Sequence, residues 1–161
     1  MLMIKKLELT IQLELYTWDE MDQQIKKLFI AAKTSAEKAF APYSNFLVGA
    51  ALLLENGEII CGNNQENLSY PAGICAERVA LSYAQANFPD SRPLHMAIVG
   101  KKRGNENYTD ISPCGICRQT ISEYEQKFEQ PITLYLWSRE EKIIKVNSIN
   151  DLLPFKFSDF R

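Results

Sequence analysis

The chain has 161 residues, 46% hydrophobic and 24% charged, with a net charge of −2. That length suits one domain, placed at residues 1–161, able to bury about 70% of the surface an unfolded chain would expose. The acidic balance argues against a nucleic-acid partner, and no apolar stretch approaches a membrane-spanning length.

Leu7, Leu9, Ile11, Leu13 and Leu15 alternate with polar residues, which predicts a half-buried strand within an N-terminal extension, residues 1–17. Lys5 and Lys6 break the apolar start, so no signal peptide is expected there. Thr17 and Glu20 form a capping box that would open a helix running to about Phe40. Its buried stripe would be Ile25, Leu28, Phe29, Ala32, Ala36 and Ala39-Phe40. Leu47 to Leu54 and Ile59-Ile60-Cys61 flank Asn56-Gly57, a strong hairpin signal. Residues 62–73 read as irregular. The helix that follows would bury Ala76, Val79, Ala80, Tyr83 and Ala84, and Asn87-Phe88-Pro89 stops it. Leu94 to Val99 is a buried strand, and residues 100–112, which hold the basic run Lys101-Lys102-Arg103, are a solvated loop. Pro113 suits a helix start, where its missing N–H costs nothing. That helix carries Cys117, Ile121, Tyr124 and Phe128 on one face and ends before Pro131. Ile132 to Trp137 and Lys142 to Val146 form a second hairpin, and Ile149 to Leu153 a last short helix. The order predicts a partly parallel sheet of about five strands with helices packed on both faces, a three-layer α/β/α fold plus the extra N-terminal strand.

Four cysteines, in what is expected to be a reducing cytoplasmic setting, point to metal or catalysis before disulfides. Cys75 and Cys114 each open a helix that follows a strand, so both can meet at one sheet edge. With Cys117 they supply three thiolates, which suits one zinc ion with a fourth position for water. Helix N-termini favour anionic sulfur. Cys61 reads more readily as a small buried apolar group than as a ligand. Cys114-Gly115-Ile116-Cys117 taken alone would equally suit a redox pair or half of a structural zinc knuckle. Arg78, one helical turn past Cys75, is placed to offset the negative metal site by hydrogen-bonding the sulfurs, or else makes a surface ion pair. Glu77 can face the same ion only if Cys75 sits at the helix mouth, before regular winding begins.

Cys75-Ala76-Glu77 followed by Pro113-Cys114-Gly115-Ile116-Cys117 is the pattern of zinc nucleobase deaminases, with the glutamate as proton carrier and not as ligand. Over residues 22–157 the chain resembles a small, homotetrameric, zinc-dependent cytidine deaminase of the three-cysteine type. The resemblance extends to Ala41-Pro42-Tyr43-Ser44-Asn45-Phe46, Val48-Gly49-Ala50, Gly62-Asn63-Asn64-Gln65-Glu66-Asn67 and Leu152-Leu153-Pro154. It implies hydrolytic deamination of cytidine and 2'-deoxycytidine in pyrimidine salvage, with one zinc per chain and a small nucleoside, not a nucleic acid or membrane, as partner. It implies Glu77 as catalytic residue and Cys75, Cys114 and Cys117 as ligands. Asn64 and Glu66 would hold the ribose hydroxyls, two apart in an extended segment and so pointing the same way. Phe46 would pack on the pyrimidine, with Ala76 beside it, and Ser69, Tyr70 and Phe157 would complete pockets across subunit interfaces. The only histidine, His95, falls in a strand and is no ligand candidate. Alternatives on the same residues are a deaminase of another cytosine nucleoside such as blasticidin S, and a non-catalytic structural-zinc module with Cys61 as fourth ligand.

Overall fold

The computed structural model describes residues 6–158. One mixed sheet runs in the order β1-β6-β5-β4-β2-β3. Its strands are β1 (Glu14–Thr17), β2 (Phe46–Leu54), β3 (Ile59–Asn63), β4 (Pro93–Lys102), β5 (Thr133–Trp137) and β6 (Lys142–Val146). Helix α1 (Gln23–Ala36) lies on one face, α2 (Ala76–Asn87) and α3 (Gly115–Phe128) on the other.

The alternation of strand side chains builds both cores. Ala51, Leu53, Ala97, Val99 and Tyr135 pack toward α1 with Ile25, Leu28, Phe29 and Ala32. Leu52, Leu54, Met96, Ile98, Leu134 and Leu136 pack toward Ala80, Leu81 and Ile121 on the opposite side. Strands buried on both faces read as continuous apolar runs, as β2 does. Two glycines set the helix–sheet distance. A Cβ on Gly49 would lie 2.0 Å from the Ala32 carbonyl oxygen of α1, and one on Gly62 would lie 2.2 Å from the Ala76 carbonyl oxygen of α2. The hairpin turns at Gly57, whose φ of +88° is open to glycine at no steric cost.

On the α1 face, Trp18, Phe29 and Trp137 form an aromatic cluster with ring centroids 5.5–6.0 Å apart. The Lys33 ammonium sits 3.6 Å from the Trp137 ring centroid.

Several expectations are corrected. The N-terminal strand covers only Glu14–Thr17, paired antiparallel with β6, and residues 6–13 lie outside any strand. Its parity is also reversed. Leu7, Leu9, Ile11, Leu13 and Leu15 are exposed, because Glu14 and Tyr16 are the side chains that lean on the sheet edge. Glu14 is held there by Lys145 at 2.9 Å, by Asn147 at 3.2 Å and by the Tyr16 hydroxyl. The Glu20 carboxylate does accept from the Thr17 N–H, but it closes only the 3-10 turn Trp18–Glu20. The true cap of α1 is Asp22, which accepts from the Ile25 N–H at 2.9 Å, and α1 stops at Ala36, so Phe40 is exposed. In α2, Glu77 and Leu81 are buried where Tyr83 was expected, and Tyr83 faces out. Residues 100–102 extend β4 because they pair with Phe46, Leu47 and Val48. Cys61 is exposed on β3, not buried.

Candidate metal centre

β3 and β4 both run antiparallel to β2, so their carboxyl ends lie at the same edge, opposite residues 46–49. β4 and β5 are parallel. Helix mouths gather at that edge, as the topology requires. Cys75 caps α2 in an extended conformation (φ −75°, ψ 155°) and Cys114 caps α3 likewise (φ −67°, ψ 170°). Cys117 is one turn into α3 and buried. The three Sγ atoms lie within 4.8 Å of one another, with Cys75–Cys114 at 3.8 Å and Cys114–Cys117 at 3.5 Å. Three sulfurs each ~2.3 Å from a tetrahedral zinc would sit about 3.8 Å apart. The donor set and its spacing therefore fit one zinc ion.

Electrostatics favour thiolate at Cys75. The Cys75 thiol is lowered to about 6, chiefly by hydrogen bonding from Cys117, with Cys114 and the positive charge of Arg78 adding to it. Cys117 is pushed up in turn. Among the described residues Arg78 makes no hydrogen bond to a sulfur, so it acts on Cys75 by charge alone. Because Cys75 stands before the regular winding, Glu77 can face the cluster. The residue is 4% exposed, and burial raises its pKa while its own backbone N–H and the Cys117 thiol bond its carboxyl. Cys61 lies away from the cluster, and although the residue is exposed its sulfur is partly shielded from water near the Ala31 carbonyl at 3.9 Å, which raises its thiol pKa. A fourth sulfur ligand is thus missing among the described residues, which removes the basis of the structural-zinc alternative.

A cavity of about 580 Å³ opens beside Cys75. Asn64, Glu66, Tyr70 and Arg78 line it, and so do Gln65, Tyr43 and Ile116, which sequence reasoning passed over. Ile116 is legible only in hindsight, as an exposed apolar residue between the two cysteines of one helix mouth. Asn64 bridges to β2: its Oδ1 accepts from the Val48 N–H at 2.8 Å and its Nδ2 donates to the Phe46 carbonyl at 2.9 Å. One amide hydrogen stays available. Glu66 accepts from the Tyr43 N–H at 2.9 Å, the Ser44 N–H at 3.2 Å and the Ser44 hydroxyl, which holds its carboxyl low. Phe46 packs over Gly100, where a Cβ would meet its ring at 2.9 Å, and does not line the cavity. Ala76 is fully buried against Gly62. Ser69 bonds Asn67 at 2.8 Å outside the cavity. Phe157 is also outside it, with its main chain bonded to Gln119 of α3. His95 sits in β4 against the Tyr135 ring, away from the sulfurs.

Fold and site together define a zinc-site protein of α/β/α architecture, and the family model for the cytidine and deoxycytidylate deaminase zinc-binding region matches residues 22–128. The chain belongs to that family. It is 37% identical over 134 residues to a cytidine deaminase of Sporosarcina psychrophila, covering 83% of this chain and 91% of the relative. A solved cytidine deaminase of Burkholderia pseudomallei superposes with a TM-score of 0.70 at 38% identity, covering 85% of this chain and all of that one. A blasticidin-S deaminase of Bacillus cereus is 30% identical over 116 residues, covering 69% of this chain and 76% of the relative.

Proposed function

We propose that this chain hydrolyses cytidine and 2'-deoxycytidine to uridine and 2'-deoxyuridine, releasing ammonia. The observation that carries this reading is a buried carboxyl, Glu77, bonded by the Cys117 thiol beside three converging sulfurs, one of which, Cys75, lines a cavity of about 580 Å³. Zinc held by Cys75, Cys114 and Cys117 would supply Lewis acidity, bringing the pKa of a water toward ~7. Glu77 takes a proton from the attacking water and delivers it to pyrimidine N3 as the oxygen adds at C4. Glu77 then takes the proton of the new C4 hydroxyl and passes it to the amine, so the C4 carbonyl forms as the C4–N bond breaks and ammonia leaves. Burial suits Glu77 to this task by making it hold a proton to higher pH than a surface glutamate. Arg78 offsets the negative charge of the thiolates. Asn64, through its remaining amide hydrogen, and Glu66 orient the ribose, while Phe46 and Ala76, which stand behind the cavity wall, shape the base subsite through the strand and helix they pack.

Ser69, Tyr70 and Phe157 are exposed; we assign Ser69 and Phe157, which lie outside this chain's cavity, to a neighbouring subunit's pocket in a homotetramer, and Tyr70, which lines this chain's own cavity, to the seam between the two. The whole of residues 1–161 is read as one domain. No helix among the described residues is long and apolar enough to cross a membrane. Free thiols gathered for a metal suit a reducing compartment, so we place the enzyme in the cytoplasm, in pyrimidine salvage.

The Bacillus cereus relative gives a second reading, deamination of blasticidin S. One ammonia-release assay on cytidine, 2'-deoxycytidine and blasticidin S, with zinc counted per chain, separates the two. We expect one zinc per chain and turnover of both nucleosides. Turnover of blasticidin S alone would replace the first reading with the second.

A further inference from the structure

The residue after Cys117 is Arg118, and its side chain is spent on main-chain carbonyls. Nε donates to the Pro113 carbonyl at 2.9 Å and Nη1 to the Leu152 carbonyl at 2.9 Å. Its own backbone N–H donates to the Cys114 carbonyl, also at 2.9 Å. One residue therefore holds both peptide units that flank the Cα of Cys114. Among the described residues Arg118 has no salt-bridge partner, so this geometry is what its charge serves.

The second carbonyl belongs to the C-terminal segment, and α3 grips that segment further along. Gln119 donates to the Phe157 carbonyl at 2.8 Å and accepts from its N–H at 3.3 Å, and Gln126 donates to the Ser158 carbonyl at 2.9 Å. A guanidinium offers several N–H groups in a rigid plane and can hold two carbonyls at fixed angles, which a lysine ammonium on a flexible stem does not reproduce.

We propose that Arg118 is a positioning residue for the metal site, locking the Cys114 helix mouth to the docked C-terminal segment 152–158. Resting on the zinc reading, it makes metal retention depend on a segment that contributes no ligand. Hydrogen bonds behind the ligand shell orient ligands, and their loss typically costs 10–100-fold in metal affinity.

The test uses the full-length, zinc-loaded protein. Zinc per wild-type chain is counted first, and a count near zero sinks the zinc reading itself. Zinc release to a chromogenic chelator is then followed under native conditions. Arg118→Lys should release zinc about tenfold faster than wild type. Glu125→Gln is the control. Glu125 accepts from the Ile132 and Ile149 N–H groups and the Ser148 hydroxyl, at 2.9, 3.0 and 2.9 Å, tying the same helix to the same turn without touching Pro113. It should lower the thermal midpoint and leave zinc release near the wild-type rate. Wild-type release from Arg118→Lys, or equal acceleration by Glu125→Gln, overturns the proposal. A second measurement needs no variant, because coupling is reciprocal. Removing zinc from the wild type should speed amide exchange at Leu152, Leu153 and Phe157 and leave that of Ile132, bonded to Glu125, unchanged. Unchanged exchange at all of them also overturns it.

Discussion

Single atoms decide this site. Glu77 is two residues past a proposed ligand, and regular helix would turn it about 200° away. Cys75 escapes that because it is the cap and not the first turn. Glu77→Gln keeps the shape and removes proton transfer. It should retain zinc and lose at least a hundredfold in kcat, checked by uridine formation beside metal content. Gly62 is as exacting. A methyl there would meet the Ala76 carbonyl oxygen at 2.2 Å and the Ala80 nitrogen at 2.7 Å, so α2 must back away and carry Cys75 and Glu77 with it. Gly62→Ala should cost about 1–3 kcal/mol in urea unfolding and lower kcat as well. The sulfurs and the glutamate were legible in the sequence because residue type and spacing specify them. Arg118 was not, because its partners are main-chain carbonyls, one of them 34 residues away, and no pattern of side chains records those.

At the level of elements, period and turn chemistry read well where burial is one-sided or complete. The hairpin at Asn56-Gly57 and the stripe of α1 lie where expected. The N-terminal strand misled because alternation reports amphipathicity, not which face finds a partner. Polar contacts, not leucines, attach β1 to the sheet. Glu14 is lowered from 4.5 to about 2, first by the Tyr16 hydroxyl and then by Lys145. A carboxyl lowered on folding stabilises above its unfolded pKa, and the contribution fades as pH falls from 4.5 through about 2. The stability difference between wild type and Glu14→Gln should be full at pH 6 and gone near pH 2. Urea midpoints at a series of pH values check this, and a pH-independent difference would contradict it.

For the whole molecule, the sheet brings two helix mouths to one edge and leaves the aromatic layer on the opposite face. The class of fold followed from element order, since a helix between strands demands crossovers and two covered faces. Assembly did not follow from anything within one chain. The proposed tetramer predicts a mass near four chains by light scattering, and a monomeric mass with full activity would exclude pockets shared between subunits.

Both tryptophans, Trp18 and Trp137, belong to that single cluster with Lys33, across the sheet from the sulfurs. Intrinsic emission is therefore a one-sided reporter. It will follow loosening of the α1 layer during denaturation and stay nearly silent while zinc is stripped or a nucleoside docks. Binding titrations on this protein will want a probe on the other side, and unfolding curves come with one already built in.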